Sequence, residues 1–235
     1  MADDRFNTIA KEYDLWPIVD PAYHLLHESV IKRIEEGLAG DPRSTISVFE
    51  IGYGTGHTTK MILEADPRIR IIGADPSSGM LAEANNLLDG TELAERAQLC
   101  LGGALDVMPH YGPYAQVVSV CTLHNMVPSE RPELCRLSFE NLEPGGLYIS
   151  GDKVAVNDPA QYLLMWDRWV RDFDGFLDHG LLDSYYYWRN HEVDDHLNRY
   201  TEAEAIGMLE AAGFVDVTIV ERLNMYVVIT ARKPR

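Results

Sequence analysis

The stretch Val48-Phe-Glu-Ile-Gly-Tyr-Gly-Thr-Gly56 decides how this chain is read. An apolar strand, Ile46–Ile51, runs into glycines at 52, 54 and 56, where the backbone can turn tightly and press against a ligand that side chains would block. A helix expected over Thr58–Ala65 follows and presents free N–H groups to the same point. Downstream, the strand Ile69–Ala74 ends in Asp75-Pro-Ser-Ser-Gly-Met80. That ending puts a carboxylate at the tip of the neighbouring strand. In an open α/β sheet both tips face one crevice, and an acidic residue there can accept hydrogen bonds from two ribose hydroxyls. Glycine loop and carboxylate together define a nucleoside site. It is not the dinucleotide fingerprint, because GxGxxG counted from Gly52 needs glycine where His57 stands.

Outward from this pair the pattern continues as strands over Gln98–Leu101, Gln116–Val120 and Leu147–Ser150, alternating with helices over Ser78–Leu88 and Ser129–Asn141. Such alternation predicts a doubly wound α/β sheet, mostly parallel and covered on both faces. An N-terminal helical arm occupies about residues 1–40. From Val154 to about Tyr200 the texture changes to aromatics interleaved with charges, among them Trp166, Trp169, Phe173, Phe176, Tyr185, Tyr186, Tyr187 and Trp188. This reads as a helical cover inserted at 154–200, whose aromatics either anchor it to the sheet or wall a pocket. Thr201 followed by Glu204 has the spacing of a capping box, starting a helix that ends before Gly213. Val215–Glu221 and Met225–Ala231 then pair as an antiparallel hairpin at the sheet edge. The expected organisation is one domain over residues 1–235.

Composition narrows the partners. The 235 residues are 46% apolar, enough for one sizeable core, and carry a net charge of −17. Such a surface repels phosphate backbones and anionic membrane faces, so neither nucleic acid nor membrane is expected as a partner. Cys100, Cys121 and Cys135 lack CxxC spacing and read as reduced thiols, with no metal site among them. No run approaches the roughly 18 apolar residues of a membrane span, and the start MADDRFNTIAKEYD lacks the basic, then apolar, order of a signal peptide. A cytoplasmic location is expected.

With these motifs in order, the chain resembles the class I S-adenosylmethionine-dependent methyltransferases over roughly residues 6–233. The glycine loop resembles the family's ExGxGxG, which implies Glu50, Gly52, Tyr53, Gly54 and Gly56 around the methionine part of the cofactor. Asp75 matches the ribose-binding acid, and Pro76 and Met80 match positions flanking the adenine. The run Ala115-Gln-Val-Val-Ser-Val-Cys121-Thr-Leu-His-Asn resembles the fourth-strand motif, which adds Cys121, and Asn141-Leu-Glu-Pro-Gly-Gly-Leu-Tyr resembles the turn into strand five. The resemblance implies a seven-stranded sheet of order 3-2-1-4-5-7-6 and S-adenosyl-L-methionine as cofactor. After strand three the family's acidic residue is replaced: Gly103 stands in its place, so adenine recognition falls to the backbone near Ala104 and Leu105, or to Asp106. The segment Ala10-Lys-Glu-Tyr13-Asp14 resembles an arm whose tyrosine lies over the cofactor; Tyr13 and Trp16 could equally staple the first helix.

Methyl transfer from a sulfonium needs an aligned nucleophile and only sometimes a base. His124, just beyond strand four, is the candidate base, the alternative being a histidine that only shapes the pocket. His191, His196, Arg189 and Arg199 in the cover are candidates to orient an acceptor, the arginines by gripping a carboxylate. The leading expectation is methyl transfer to oxygen or nitrogen of a small molecule bound under the cover, with a homodimer formed through the cover. A looser resemblance, through Thr122-Leu-His-Asn-Met-Val-Pro-Ser-Glu-Arg, is to carboxy-S-adenosylmethionine synthases. A cofactor-binding protein without catalysis is the alternative from another class.

Overall fold

The computed structural model describes Phe6, Leu15 and residues 20–235, with the side chains of 192–198 outside that description. The first described helix, α1 (Pro21–Leu38), begins where Asp20 accepts a hydrogen bond from Ala22 N (3.0 Å) and Pro21 occupies the first turn. Leu26, Val30, Ile34 and Leu38, spaced by four, form its buried stripe. Then follow β1 (Ile46–Ile51), α2 (His57–Ala65), β2 (Ile69–Asp75), α3 (Ser78–Leu88), β3 (Ala97–Leu101), the one-turn α4 (Ala104–Val107), β4 (Tyr114–Val120), α5 (Arg131–Asn141) and β5 (Leu142–Lys153).

The chain continues through α6 (Pro159–Asp172), α7 (Asp174–Asp178), α8 (Leu182–Asn198), α9 (Glu202–Ala212), β6 (Val215–Leu223) and β7 (Tyr226–Arg232). The seven strands form one sheet of order β3-β2-β1-β4-β5-β7-β6, with β7 antiparallel to both neighbours and the other pairings parallel. Order and direction agree with the expectation. The differences lie at element ends. β5 is 12 residues long where four were expected, because the Pro144-Gly145-Gly146 turn is absorbed into the strand and both its flanks pair with neighbours. α5 starts at Arg131 rather than Ser129, with Pro132 in its first turn.

Successive residues of the central strands bury opposite faces, as the two-residue period requires. Val48 and Val118 join Leu26, Val30, Ile34 and Trp169 in one layer, while Phe49 and Val117 join Leu134, Tyr148, Leu209 and Phe214 in the other. The capping box at Thr201 forms as the spacing requires: Glu204 N donates to Thr201 Oγ1 (3.2 Å) and Thr201 N to Glu204 Oε2 (2.7 Å).

The 154–200 segment is a helical insert whose two ends lie side by side. Ala155 N donates to Tyr200 O (2.9 Å) and Glu202 N to Ala155 O (2.9 Å). Trp169, Phe173, Phe176 and Trp188 are buried in the layer that also holds Tyr23 and Tyr226. Asp20 pins the assembly, its Oδ2 accepting from Trp169 Nε1 (3.0 Å) and Tyr226 Oη (2.8 Å). No described helix is long and apolar enough to cross a membrane.

Candidate functional site

A cavity of about 980 Å³ opens at the carboxyl ends of β1, β2 and β4. In a parallel sheet this is the end where backbone amides and loop side chains converge on a ligand. The glycine loop forms its floor, and each glycine answers a different contact. A Cβ on Gly52 would meet Thr122 Oγ1 at 2.3 Å, and one on Gly56 would meet Ala84 Cβ in α3 at 3.0 Å. A Cβ on Gly54 would meet nothing within 4 Å, and with φ +53° this left-handed residue lines the cavity with bare backbone. Gly52 and Gly54 both line the cavity, Gly52 also making room for Thr122, while Gly56 packs against α3.

Thr122 occupies the space that Gly52 vacates and donates to Ile51 O (3.1 Å) and Val120 O (2.9 Å), so one hydroxyl clips the ends of β1 and β4 together. Cys121, buried at the cavity wall, has φ +50°, an uncommon conformation for a side-chain-bearing residue, fixed by its N–H donating to Gly151 O (2.8 Å).

Asp75 stands at the tip of β2, where Oδ2 accepts from Gly54 N (3.1 Å) and Oδ1 from Ser77 N (2.9 Å). Burial pushes its carboxyl above the usual range, and these two N–H groups oppose that push. Each oxygen keeps a lone pair for a ligand. Pro76 and Met80 line the cavity beside it, and Ser77 Oγ caps α3 by accepting from Met80 N (3.2 Å). Gly103, Ala104 and Leu105 line the far side together with Asp106. A Cβ on Gly103 would lie a comfortable 3.6 Å from Asp106 Oδ2, so Asp106 shares the position where the resemblance expects an acid. Tyr53, 2% exposed, lays its ring against Gly73 of β2 and leaves a buried hydroxyl without a partner at the cavity wall.

Three expected site residues lie off the wall: Gly56, packed against Ala84 of α3, Glu50 and His124. Glu50 is buried beneath the glycine loop, where its Oε2 accepts from Thr59 Oγ1 (2.6 Å) and ties β1 to α2. Burial, with the nearby Asp75 charge adding to it and the Thr59 hydroxyl opposing, raises its carboxyl to about 8. His124, 5% exposed, hydrogen-bonds Asp152 Oδ1 through Nδ1, while Asn125 Nδ2 sits 3.0 Å from its Nε2. The carboxylate places the ring proton on Nδ1, so Nε2 accepts from the Asn125 amide. Asn125, not His124, reaches the cavity. Tyr13 and Trp16 lie outside the described residues.

The described side chains of the insert do not line the cavity. Arg189 donates to Tyr185 Oη (3.1 Å), Arg199 lies over the Tyr162 ring, and His191 is buried against Trp188. The side chain of His196 lies outside the described residues. The insert's described aromatics therefore anchor it to the sheet, and the wall opposite the glycine loop comes from elsewhere: Phe6, Tyr23 and His27, then His57 and Thr58 at the start of α2, then Asn125–Pro128 and Glu130 after β4. The sequence reading missed Tyr23, His27, His57 and Asn125. The one local signal was a histidine at the i+4 position from a tyrosine on the apolar face of α1.

A family model described as a methyltransferase domain matches residues 48–146, the stretch that carries the glycine loop and Asp75. Residues 48–146 are therefore similar to a methyltransferase domain. Among curated relatives, this chain is 29% identical over 114 residues to an uncharacterised methyltransferase of Oceanobacillus iheyensis, covering 48% of this chain and 50% of that protein. It is 25% identical over 214 residues to a carboxy-S-adenosyl-L-methionine synthase of Wolinella succinogenes, covering 83% and 80%. The match to the uncharacterised methyltransferase thus spans half that protein's length. A solved structure, a putative O-methyltransferase of Nostoc punctiforme, superposes with a TM-score of 0.66 at 18% identity, covering 97% of this chain and 60% of that one. The last likeness is one of fold. The matched stretch ends before the insert and the terminal hairpin, and the cavity draws on residues both inside and outside it.

Proposed function

We propose that this chain is an S-adenosylmethionine-dependent methyltransferase acting on oxygen or nitrogen of a small molecule. The observation that carries the reading is the joining of Asp75 to Gly54 N at the edge of a cavity whose floor is side-chain-free. These residues fit the cofactor. The Asp75 carboxylate has lone pairs for the ribose hydroxyls, Met80 and Pro76 offer an apolar flank to a purine, and the bare backbone at Gly54 admits the amino-acid end. When bound, the cofactor supplies a methyl group on a sulfonium, an electrophile already activated for displacement by a lone pair.

The protein's share is then binding and alignment. Thr122 and Cys121 hold the wall between the two half-sites, and the Tyr23, His27 and Asn125 side receives the acceptor. His124 serves through Asn125 rather than at the reacting atoms. The net charge of −17 favours a small acceptor over nucleic acid, and Cys100, Cys121 and Cys135, none of them in a disulfide, suit a cytoplasmic location.

Calorimetric titration with S-adenosylhomocysteine tests the reading: saturable one-to-one binding supports it, and the absence of binding overturns it. The extent of the Wolinella succinogenes match favours one second reading, modification of the cofactor itself. Against it stands the cavity lining, which holds no lysine or arginine among the described residues to grip a carboxylated cofactor. Exact mass of the ligand released from purified protein separates the two.

A further inference from the structure

The acceptor half of the cavity combines ring faces and apolar side chains with the polar groups of His27, Asn125 and Glu130. His27 is 2% exposed and stands on α1 with Nδ1 2.8 Å from Tyr23 O. A carbonyl can only accept, so Nδ1 carries the proton and Nε2 presents a lone pair. Burial is the main reason that the ring resists protonation, its pKa falling to about 4, with the charges of His57 and His24 adding to the effect and the Tyr23 carbonyl opposing it. The ring is therefore a fixed neutral acceptor through the physiological range. Tyr23 packs on it at 4.4 Å and His57 meets it edge to face at 5.4 Å, which leaves an aromatic slot beside Nε2.

Asn125 contributes in the same sense. Its amide is turned by Cys121 O (3.2 Å) and His124 Nε2 (3.0 Å), both acceptors, so its NH₂ is committed to the protein. Its Oδ1 is buried without a partner. Glu130 adds a carboxylate at the rim. Along the whole described lining the charged side chains are Asp75, Asp106 and Glu130, with no lysine or arginine among the described residues. A carboxylate or phosphate on the acceptor would meet the like charge of Glu130 and, among the described lining residues, no counter-ion.

Resting on the methyltransferase reading, we propose that the acceptor is an arylalkyl amine or a phenol, uncharged at the atom that takes the methyl group, gripped by an N–H or O–H that donates to His27 Nε2, and that it carries no carboxylate or phosphate. His27 is thus the specificity-determining residue of the acceptor half-site.

The test uses full-length protein saturated with S-adenosylhomocysteine and four probes of matched skeleton: 2-phenylethylamine, 4-ethylphenol, 3-phenylpropanoate and phenyl phosphate. Calorimetry is expected to show the amine or the phenol binding at least about 10-fold more tightly than either anion, a gap of about 1.4 kcal/mol. In His27→Phe, which keeps a ring of similar size, that binding weakens about 10-fold, while His27→Gln, whose side-chain oxygen can stand near the Nε2 position, restores most of it. Affinity for S-adenosylhomocysteine stays unchanged in both variants and reports that they fold. Anions binding as tightly as the amine and phenol, no binding by either donor probe, or donor binding indifferent to His27→Phe overturns the proposal. Failure of S-adenosylhomocysteine to bind wild-type protein instead overturns the reading on which it rests.

Discussion

Asp152 Oδ1 accepts the Nδ1–H of His124 beneath the cavity, and the same carboxylate accepts from Tyr200 Oη (3.1 Å), His124 N (3.2 Å) and Lys153 N (2.8 Å). Arg131, 2% exposed, lies over the Tyr200 ring and donates to Leu123 O (2.9 Å), His124 O (3.2 Å) and Met126 O (3.1 Å). The loop after β4 is thus held from below by buried polar bonds. Asn125, one of its cavity-lining residues, is oriented by His124.

Replacing Asp152 by Ala strands a ring N–H and a phenolic hydroxyl in a buried site, and unfolding in urea should show a loss of about 3 kcal/mol or more. Tyr200→Phe removes one of these bonds and should cost about 1 kcal/mol. If both variants unfold like wild type, the cluster is not what holds the loop.

Because His124 acts through Asn125, His124→Ala should lower stability and acceptor affinity while leaving the shape of the pH–rate profile intact. Loss of one limb of that profile would instead identify His124 as a base.

Asp75→Ala should weaken S-adenosylhomocysteine binding by about 1–3 kcal/mol, since two charged hydrogen bonds to the ribose disappear. The bond that Asp75 accepts from Gly54 N also goes. Asp75→Asn, which keeps one acceptor oxygen, should fall between the two. Calorimetry of the three proteins checks the order, and unchanged affinity in Asp75→Ala removes the residue from the ribose site.

The glycine loop separates stability from binding. Gly52→Ala places a methyl group 2.3 Å from Thr122 Oγ1 and should lower the melting temperature by forcing Thr122 off both strand ends. Gly54→Ala meets no protein atom within 4 Å, so beyond a left-handed strain of about 1–2 kcal/mol its effect should fall on cofactor affinity. Thermal melts with and without S-adenosylhomocysteine distinguish the two patterns.

Glu50 sets a pH dependence of known sign. Its folded-state carboxyl titrates near 8 against an ordinary value of 4.5, so the folded state holds a proton that the unfolded chain has released. The resulting stabilisation is complete below 4.5 and is lost as pH rises toward 8. Glu50→Gln should flatten that slope, because the amide oxygen still accepts from Thr59 and carries no charge to bury. Denaturant melts across the window check it, and an unchanged slope in the variant assigns the dependence to another group.

The sequence by itself determined what is local. Alternating apolar strands and amphipathic helices marked the elements of the sheet, Thr201 and Glu204 marked the start of α9, and the glycine loop and Asp75 were read together and do meet at one cavity. Those signals survive because the contacts that enforce them lie within a turn or between neighbouring strand tips.

The side of the cavity formed by Tyr23, His27 and Asn125 came from the tertiary packing alone. Whether a histidine faces a cavity depends on how closely its helix packs on the sheet, and a Cβ on Gly151 of β5 would stand 2.7 Å from Val30 Cγ2 and 3.0 Å from Leu26 Cδ1. The missing side chain lets α1 settle onto β5, and His27, next to Leu26, comes to rest on the cavity wall. The same logic draws His124 down to Asp152, 28 residues away along the chain. No spacing or composition encodes either outcome, because both follow from the fit between distant surfaces, where one absent methyl group sets the position of an entire helix.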